Sequence, residues 1–160
     1  MMTSTEHVLS TTPFVVRRRV KWGDCDPAGV VYTVVFGEYV ISAAELFYGM
    51  LFDGTPQKVK DRHGFGTPSR ALSFDFRSSL WPDDEFDMRV TVDEIRQRTY
   101  TLGIEAVTAS GELAFIAKLT PICIARGERR AIPIPDTLRD ALSSYRDACA
   151  QYAAARSSAS

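Results

Sequence analysis

Apolar side chains recur along this chain in two different rhythms. In residues 33–51, TVVFGEYVISAAELFYGML, the positions Phe36, Val40, Ala43, Ala44, Phe47 and Leu51 recur mostly at spacings of three and four, and Glu38 and Glu45 fall away from that stripe. This spacing predicts a helix with one continuous apolar face. Several β-branched residues and Gly37 weaken its intrinsic propensity, so burial has to stabilise it. A helix this apolar belongs inside a fold rather than on its surface.

Elsewhere the rhythm is two. Residues 14–22, FVVRRRVKW, read as a first strand. The run Arg17 to Arg19 breaks its alternation, which suits an edge, a strand facing a charged groove, or a solvated face. Leu72, Phe74 and Phe76 alternate with Ala71, Ser73, Asp75 and Arg77, and Phe86, Met88, Val90 and Val92 with Asp87, Arg89, Thr91 and Asp93. Residues 100–108 alternate again, and 113–125 form a further strand interrupted at Pro121. Trp81-Pro82-Asp83-Asp84 and Ala109-Ser110-Gly111-Glu112 are turns. A polar connection, 53–68, holds a short helix near Pro56 to Asp61, and Pro135-Asp136 opens a terminal helix to about Ala154, with Asp136 as its cap. The order is strand, long buried helix, four strands, terminal helix. Short turns make the sheet antiparallel, and a single apolar helix must lie across one face. The predicted class is α+β, with the sheet wrapped on a central helix. Residues 1–12 read as a flexible lead, 13–155 as one domain and 156–160 as a flexible tail.

Charge and composition narrow the function. The formal net charge of −1 over 160 residues does not suggest a nucleic-acid partner. Cys25, Cys123 and Cys149 are odd in number, with no CxxC pair, so neither a zinc site nor a disulfide framework is expected and a reducing cytoplasm is favoured. The N-terminus has no basic start followed by an apolar run, and no apolar stretch reads as long enough to span a bilayer.

The candidate chemistry lies in WGDCDPAGVVY, residues 22–32, between the first strand and the apolar helix. From the loop alone, Asp26 reads as a capping or Asx-turn acid. Cys25 is a nucleophile in principle, but the only histidines, His7 and His63, are distant in sequence, and a small packed residue is the simpler reading. The first N–H groups of the helix that follows have no internal partners and, with the helix dipole, form a ready oxyanion site. Asp26 lies seven residues before Thr33, so a tight loop through Pro27 and Gly29 brings a carboxylate to that helix end.

The segment GDCDPAGVVY resembles the active-site segment of the 4-hydroxybenzoyl-CoA thioesterases, which belong to the hotdog-fold acyl-CoA thioesterases. The likeness runs from about Val15 to Ala131-Ile132 and takes in Gly66-Thr67-Pro68 and Gly127-Glu128-Arg129-Arg130-Ala131-Ile132. It implies a hotdog fold and hydrolysis of an acyl-CoA thioester, with Asp26 as nucleophile or general base and the backbone N–H at Thr33 or its neighbours polarising the carbonyl. Asp24 then orders the loop by accepting backbone N–H groups. The resemblance further implies a homodimer or homotetramer with the acyl groove where subunits meet, no metal, and no cofactor beyond the coenzyme A of the substrate. Arg96 and Arg98 resemble basic positions at the nucleotide end, with Arg129 and Arg130 as secondary candidates. Guanidinium forks suit phosphate, and ordinary surface charge is the alternative.

The chain departs from the family pattern at Val35 and Phe36, where an Asn-Tyr pair is common, at Gln97, and at Ile41, where hydroxybenzoyl-specific members carry an acid. Ile41 cannot hydrogen-bond a phenol, so that specificity does not carry over. Thr67 matches a pocket threonine or is a turn residue before Pro68. Tyr32, Phe36 and Ile41, with Val35 and Tyr39, suggest an aryl or other hydrophobic acyl pocket, or simply core. Two alternatives remain: a hydratase or dehydratase of acyl thioesters, disfavoured because the loop and helix lack histidine, and a non-catalytic acyl-CoA-binding protein.

Overall fold

A computed structural model describes residues 4–159. Strand β1 (Glu6–Thr11) and strand β2 (Phe14–Arg19) form a hairpin, and a short 3-10 turn at Trp22–Asp24 leads through the motif loop into helix α1 (Thr33–Leu51). Helix α2 (Pro56–His63), the two-residue strand β3 (Phe65–Gly66) and strand β4 (Ser69–Phe76) follow. Strands β5 (Glu85–Ile95), β6 (Tyr100–Thr108) and β7 (Leu113–Pro121), the short β8 (Ile124–Ala125) and helix α3 (Asp136–Ser158) complete the chain.

The main sheet has six strands in the order β1-β2-β5-β6-β7-β4, each pair antiparallel, and β3 pairs with β8 in a separate ribbon. The sheet wraps α1, as the alternation of its strands and the single apolar helix predict. Phe36, Val40, Ala43, Ala44 and Phe47 of the predicted stripe are buried, joined by Tyr39, while Leu51 is only partly covered. They meet the inward positions of β5 (Phe86, Met88, Val90, Val92) and of β6 and β7. Edge-to-face contacts join the layers, Phe36 to Phe115 at 5.3 Å and Phe14 to Phe47 at 5.6 Å, a geometry favoured by the ring quadrupoles. At Gly103 of β6 a Cβ would come within 2.6 Å of Thr91 Oγ1, so a larger residue there would require the Thr91 and Asp93 side chains to shift.

Four expectations need correction. Residues 6–11 are not a loose lead but strand β1, paired with β2. Its side chains are mostly exposed, so it carries no apolar rhythm to read, and what holds it is the backbone ladder and Glu6. At the other end, residues 156–158 continue α3 rather than forming a tail, because the alanine-rich run there is a strong helix former; residue 160 and residues 1–3 lie outside the described part. Asp136 is the first helical residue, not the cap, which is Pro135; its charge still suits the helix N-terminus. Finally, α1 is by length and composition able to cross a membrane. It passes that test as the core helix of the sheet, for the same reason that it is apolar.

The arginine run divides by face. Arg18 is buried on the inward side with Phe14, Val16 and Val20, while Arg17 points outward and forks onto Asp87 of β5 at 2.8 and 3.1 Å.

Candidate active site

The motif loop is closed by its own backbone. The Tyr32 N–H donates to the Asp24 carbonyl at 2.9 Å, the Asp26 N–H to Val30 O at 2.9 Å, and the Gly29 N–H to Asp26 O at 2.9 Å. Gly29 has φ of +89°, a left-handed conformation that glycine adopts without a Cβ penalty. The Val31 N–H donates to Leu80 O at 2.9 Å, fixing the loop to the connection between β4 and β5. A seven-residue excursion thus returns on itself, and Asp26 and the start of α1 lie at the same end of the molecule.

The two acids are held differently. Asp24 is buried; its Oδ2 accepts the Lys21 N–H at 3.0 Å and the Tyr39 hydroxyl at 2.8 Å, with the Arg18 guanidinium 4.0 Å away. Arg18 in turn pairs with Glu6 at 3.1 Å and stacks over the Tyr39 ring at 4.9 Å, and Glu6 accepts the Ser42 hydroxyl at 2.7 Å. This network ties β1, β2, the loop and α1 together, and Asp24 braces the loop as expected. Burial first, then the hydrogen bond to Asp24, raises the Tyr39 hydroxyl far above its usual pKa, so it stays a donor. Asp26 is only partly buried, and its Oδ1 accepts the Ala28 N–H at 2.9 Å, an Asx turn. That turn uses one of its two carboxylate oxygens. Cys25 is unpaired, and its thiol is raised by burial and by the charges of Asp24 and Asp26, the opposite of an activated nucleophile.

Thr33 is the first residue of α1 and is exposed; Tyr32 precedes it without a side-chain cap. With no carboxylate or hydroxyl capping it, the helix start presents its N–H dipoles outward. A cleft of about 380 Å³ adjoins it, lined by Val30, Thr33, Phe36, Phe76, Ser78 and Leu80. Phe36 is otherwise core, 4.9 Å from Phe76, and Tyr32 is half exposed.

Ile41 and Thr67 come together elsewhere. They line a second cavity, of about 270 Å³, with Tyr48, Lys60, Ser69 and Leu119. Lys60 Nζ donates to Thr67 Oγ1 at 2.7 Å, and the Tyr48 and Tyr100 hydroxyls share a hydrogen bond of 2.5 Å. Burial raises both tyrosines well above their usual pKa and pushes the nearby Cys123 thiol up to about 11. Lys60, Tyr48 and the pairing of Arg18 with Glu6 and Ser42 carry no signal in the sequence. Lys60 sits in a polar stretch with no repeat, and Tyr39 is the one member of the Arg18 network whose helical position, three after Phe36, could have marked it as inward.

The candidate phosphate ligands do not form a vacant cluster. Arg96 is bound to Glu94 and Thr101, and Arg130 to Glu128 at 2.9 Å. Arg98 is exposed. The backbone does bring their segments together, since the Cys123 N–H donates to Arg98 O and the Ile132 N–H to Cys123 O, both at 2.9 Å. Among the described residues no group of three or more His, Cys, Asp or Glu is placed to hold a metal ion.

The family description "Thioesterase-like superfamily" fits residues 20–142, which span the motif loop, α1, strands β3 to β8 and the start of α3. The chain belongs to the thioesterase-like superfamily. It is 26% identical over 129 residues to a 4-hydroxybenzoyl-CoA thioesterase of Pseudomonas sp. (strain CBS-3), covering 75% of this chain and 90% of that one. Its fold is similar to that of a 1,4-dihydroxy-2-naphthoyl-CoA thioesterase from Synechocystis, with a TM-score of 0.73 and 26% identity over 81% of this chain and 95% of that one. It also matches the fold of a Staphylococcus aureus protein solved in complex with CoA, with a TM-score of 0.77 and 12% identity over 92% and 89% of the two chains. The α+β hotdog architecture is therefore shared with superfamily members of known structure.

Proposed function

We propose that this protein hydrolyses the thioester bond of an acyl-CoA bearing an aryl or other hydrophobic acyl group. The observation that carries the reading is the self-closed loop that returns Asp26 to the uncapped start of α1. Asp26 either takes a proton from water as the hydroxide adds to the carbonyl carbon, or attacks that carbon itself to give an anhydride that water then opens. On either route the C–S bond breaks, coenzyme A leaves as the thiolate and is protonated, and the Thr33 N–H and its neighbour meet the charge developing on the carbonyl oxygen. Asp24 holds the loop rigid while this happens.

A second copy of the chain completes the reading. β4 ends the sheet, and its Leu72 and Phe76 are exposed, a long unpaired edge of the kind that pairs with another strand. The cavity of Ile41 and Thr67 lies at the Ser69 end of β4 and the Thr33 cleft at its Phe76 end, about 23 Å apart along one strand. Antiparallel pairing of two β4 strands about a two-fold axis sets the cavity of each copy opposite the Thr33 cleft of the other. Arg96, Arg98 and Arg130 are then the candidates for the coenzyme A phosphates, in competition with their present partners. The three unpaired thiols fit a reducing cytoplasm.

Release of free thiol from a panel of benzoyl-, hydroxybenzoyl-, phenylacetyl- and aliphatic acyl-CoA thioesters tests the activity. Steady turnover of at least one supports it; tight binding of all with no release would identify a non-catalytic acyl-CoA binder instead.

A further inference from the structure

The cavity that holds Ile41 and Thr67 contains one feature that a hydrophobic acyl pocket does not require. Its walls include the apolar Ile41, Ala44 and Leu119, yet α2 sends the ammonium of Lys60 into it. Lys60 Nζ touches Thr67 Oγ1 at 2.7 Å and stands 5.3 Å from the Tyr48 ring centroid. An ammonium has three donors, and Thr67 takes one. Neighbouring Arg126 is neutralised by Asp61, whereas Lys60 has no ion pair among the described residues. Glu45 also lines the cavity but is exposed and beyond ion-pair distance. Burial, aided by the Arg126 charge, lowers the Lys60 pKa even though Cys123 and Glu45 act to raise it.

A cation facing apolar walls fits a ligand that is apolar along its length and anionic at its end. We propose that Lys60 selects acyl groups ending in a carboxylate, so that the preferred substrates are mono-CoA thioesters of dicarboxylic acids. The inference rests on the thioesterase reading and deepens it. The carboxylate accepts from Lys60 Nζ, with the Thr67 hydroxyl as a second donor, while Ile41 and Leu119 line the acyl body. Ile41 then has a reason to be apolar: a second acid beside Glu45 would further repel the substrate anion. The competing account is that Lys60 merely lays its methylenes over Tyr48, as long cationic side chains do.

Two matched pairs of thioesters separate these accounts, adipoyl-CoA against hexanoyl-CoA and 4-carboxybenzoyl-CoA against 4-methylbenzoyl-CoA. The wild type is expected to favour the acid of at least one pair by about 10- to 100-fold in kcat/KM. The two pairs distinguish an aliphatic from an aromatic diacid. Lys60→Met abolishes the preference mainly by slowing the acid substrate, and Lys60→Arg retains most of it. Dissociation constants of the same four thioesters with the Asp26→Asn protein read the preference without turnover. No preference in the wild type, or one that survives Lys60→Met, overturns the proposal. If nothing is hydrolysed but Lys60-dependent binding preference remains, the hydrolase reading fails and the carboxylate site stands; normal turnover without the preference is the reverse. Thermal melting shows that the variants fold, and the wild-type comparison needs no variant.

Discussion

The clefts at the two ends of β4 are built in opposite ways. At the Thr33 cleft the loop 24–32 closes on itself through backbone hydrogen bonds and feeds directly into a helix, and residues 76–80, from the end of β4 onward, supply the other wall. The Lys60 cavity is assembled from the successive elements α1, α2 and the start of β4, closed by Leu119 and Pro121 at the end of β7. On the proposed reading the first supplies the parts for bond breaking, the Asp26 carboxylate and the helix N–H dipoles. The second is a cavity whose charged lining residues are Lys60 and Glu45. If the proposed reaction holds, chemistry that must be placed to a fraction of an ångström would sit on a short loop, and selection on a separate cavity where one substitution changes the lining without touching the reacting groups.

The largest expected effect tests whether that division is real. Asp26→Asn is expected to lower kcat/KM by about 10²- to 10⁴-fold with almost no change in melting temperature, because its Asx turn can form with an amide oxygen. Near-normal hydrolysis by this variant would return Asp26 to a purely structural turn residue. Asp24→Ala gives the converse. It leaves the buried Tyr39 hydroxyl and Lys21 N–H unpaired and Arg18 short of a counter-charge, so chemical denaturation is expected to show a loss of about 2–4 kcal/mol. If stability were unchanged, the loop would not depend on its inner acid.

Smaller effects sharpen the comparison at the cavity end. The Cys123 thiol, pushed up from 9.0 to about 11 by burial, binds its proton more tightly folded than unfolded. Its contribution to stability is therefore complete below pH 9 and is lost as pH rises toward 11. Melting temperatures between pH 8 and 11 are expected to fall more steeply for the wild type than for Cys123→Ala; parallel curves would rule this out. Smallest of all, Cys25→Ala is expected to keep turnover within about twofold and stability within about 1 kcal/mol, because burial and the flanking acids raise the proton affinity of the thiol and so disfavour the nucleophilic thiolate. Loss of activity on this change, or burst-phase labelling of Cys25 by substrate, would reassign the chemistry.

How far each part could be read from the chain follows from the same contrast. The central helix was legible because six apolar positions repeat with a helical period, and β5 to β7 because their alternation is clean. The motif loop was legible because its hydrogen bonds are local, so Pro27, Gly29 and the two acids carry the geometry in their order. Strand β1 was not, since an exposed edge strand is held by backbone pairing that leaves no pattern in side chains. Nor was Arg18, which looked like one charge in a run of three until the β2 pleat turned it inward to Glu6 and Asp24. Lys60 was hidden most deeply: its significance depends on meeting Thr67 across the turn from α2 into β3, beside a face of α1, and no spacing encodes that encounter.

The apolarity of α1 also has a consequence for how the chain is made. Part of the cover of its six buried positions comes late, from Phe86 of β5 and Phe115 of β7, and Leu51 leaves the ribosome about 70 residues ahead of Pro121. At about 5–20 residues per second, the helix waits roughly 4–14 s for the strands that will cover it. During that interval the nascent chain displays the same greasy face that makes α1 long and apolar enough for a bilayer. Pulling-force measurements on stalled chains are expected to register the release when β7 emerges and the sheet closes.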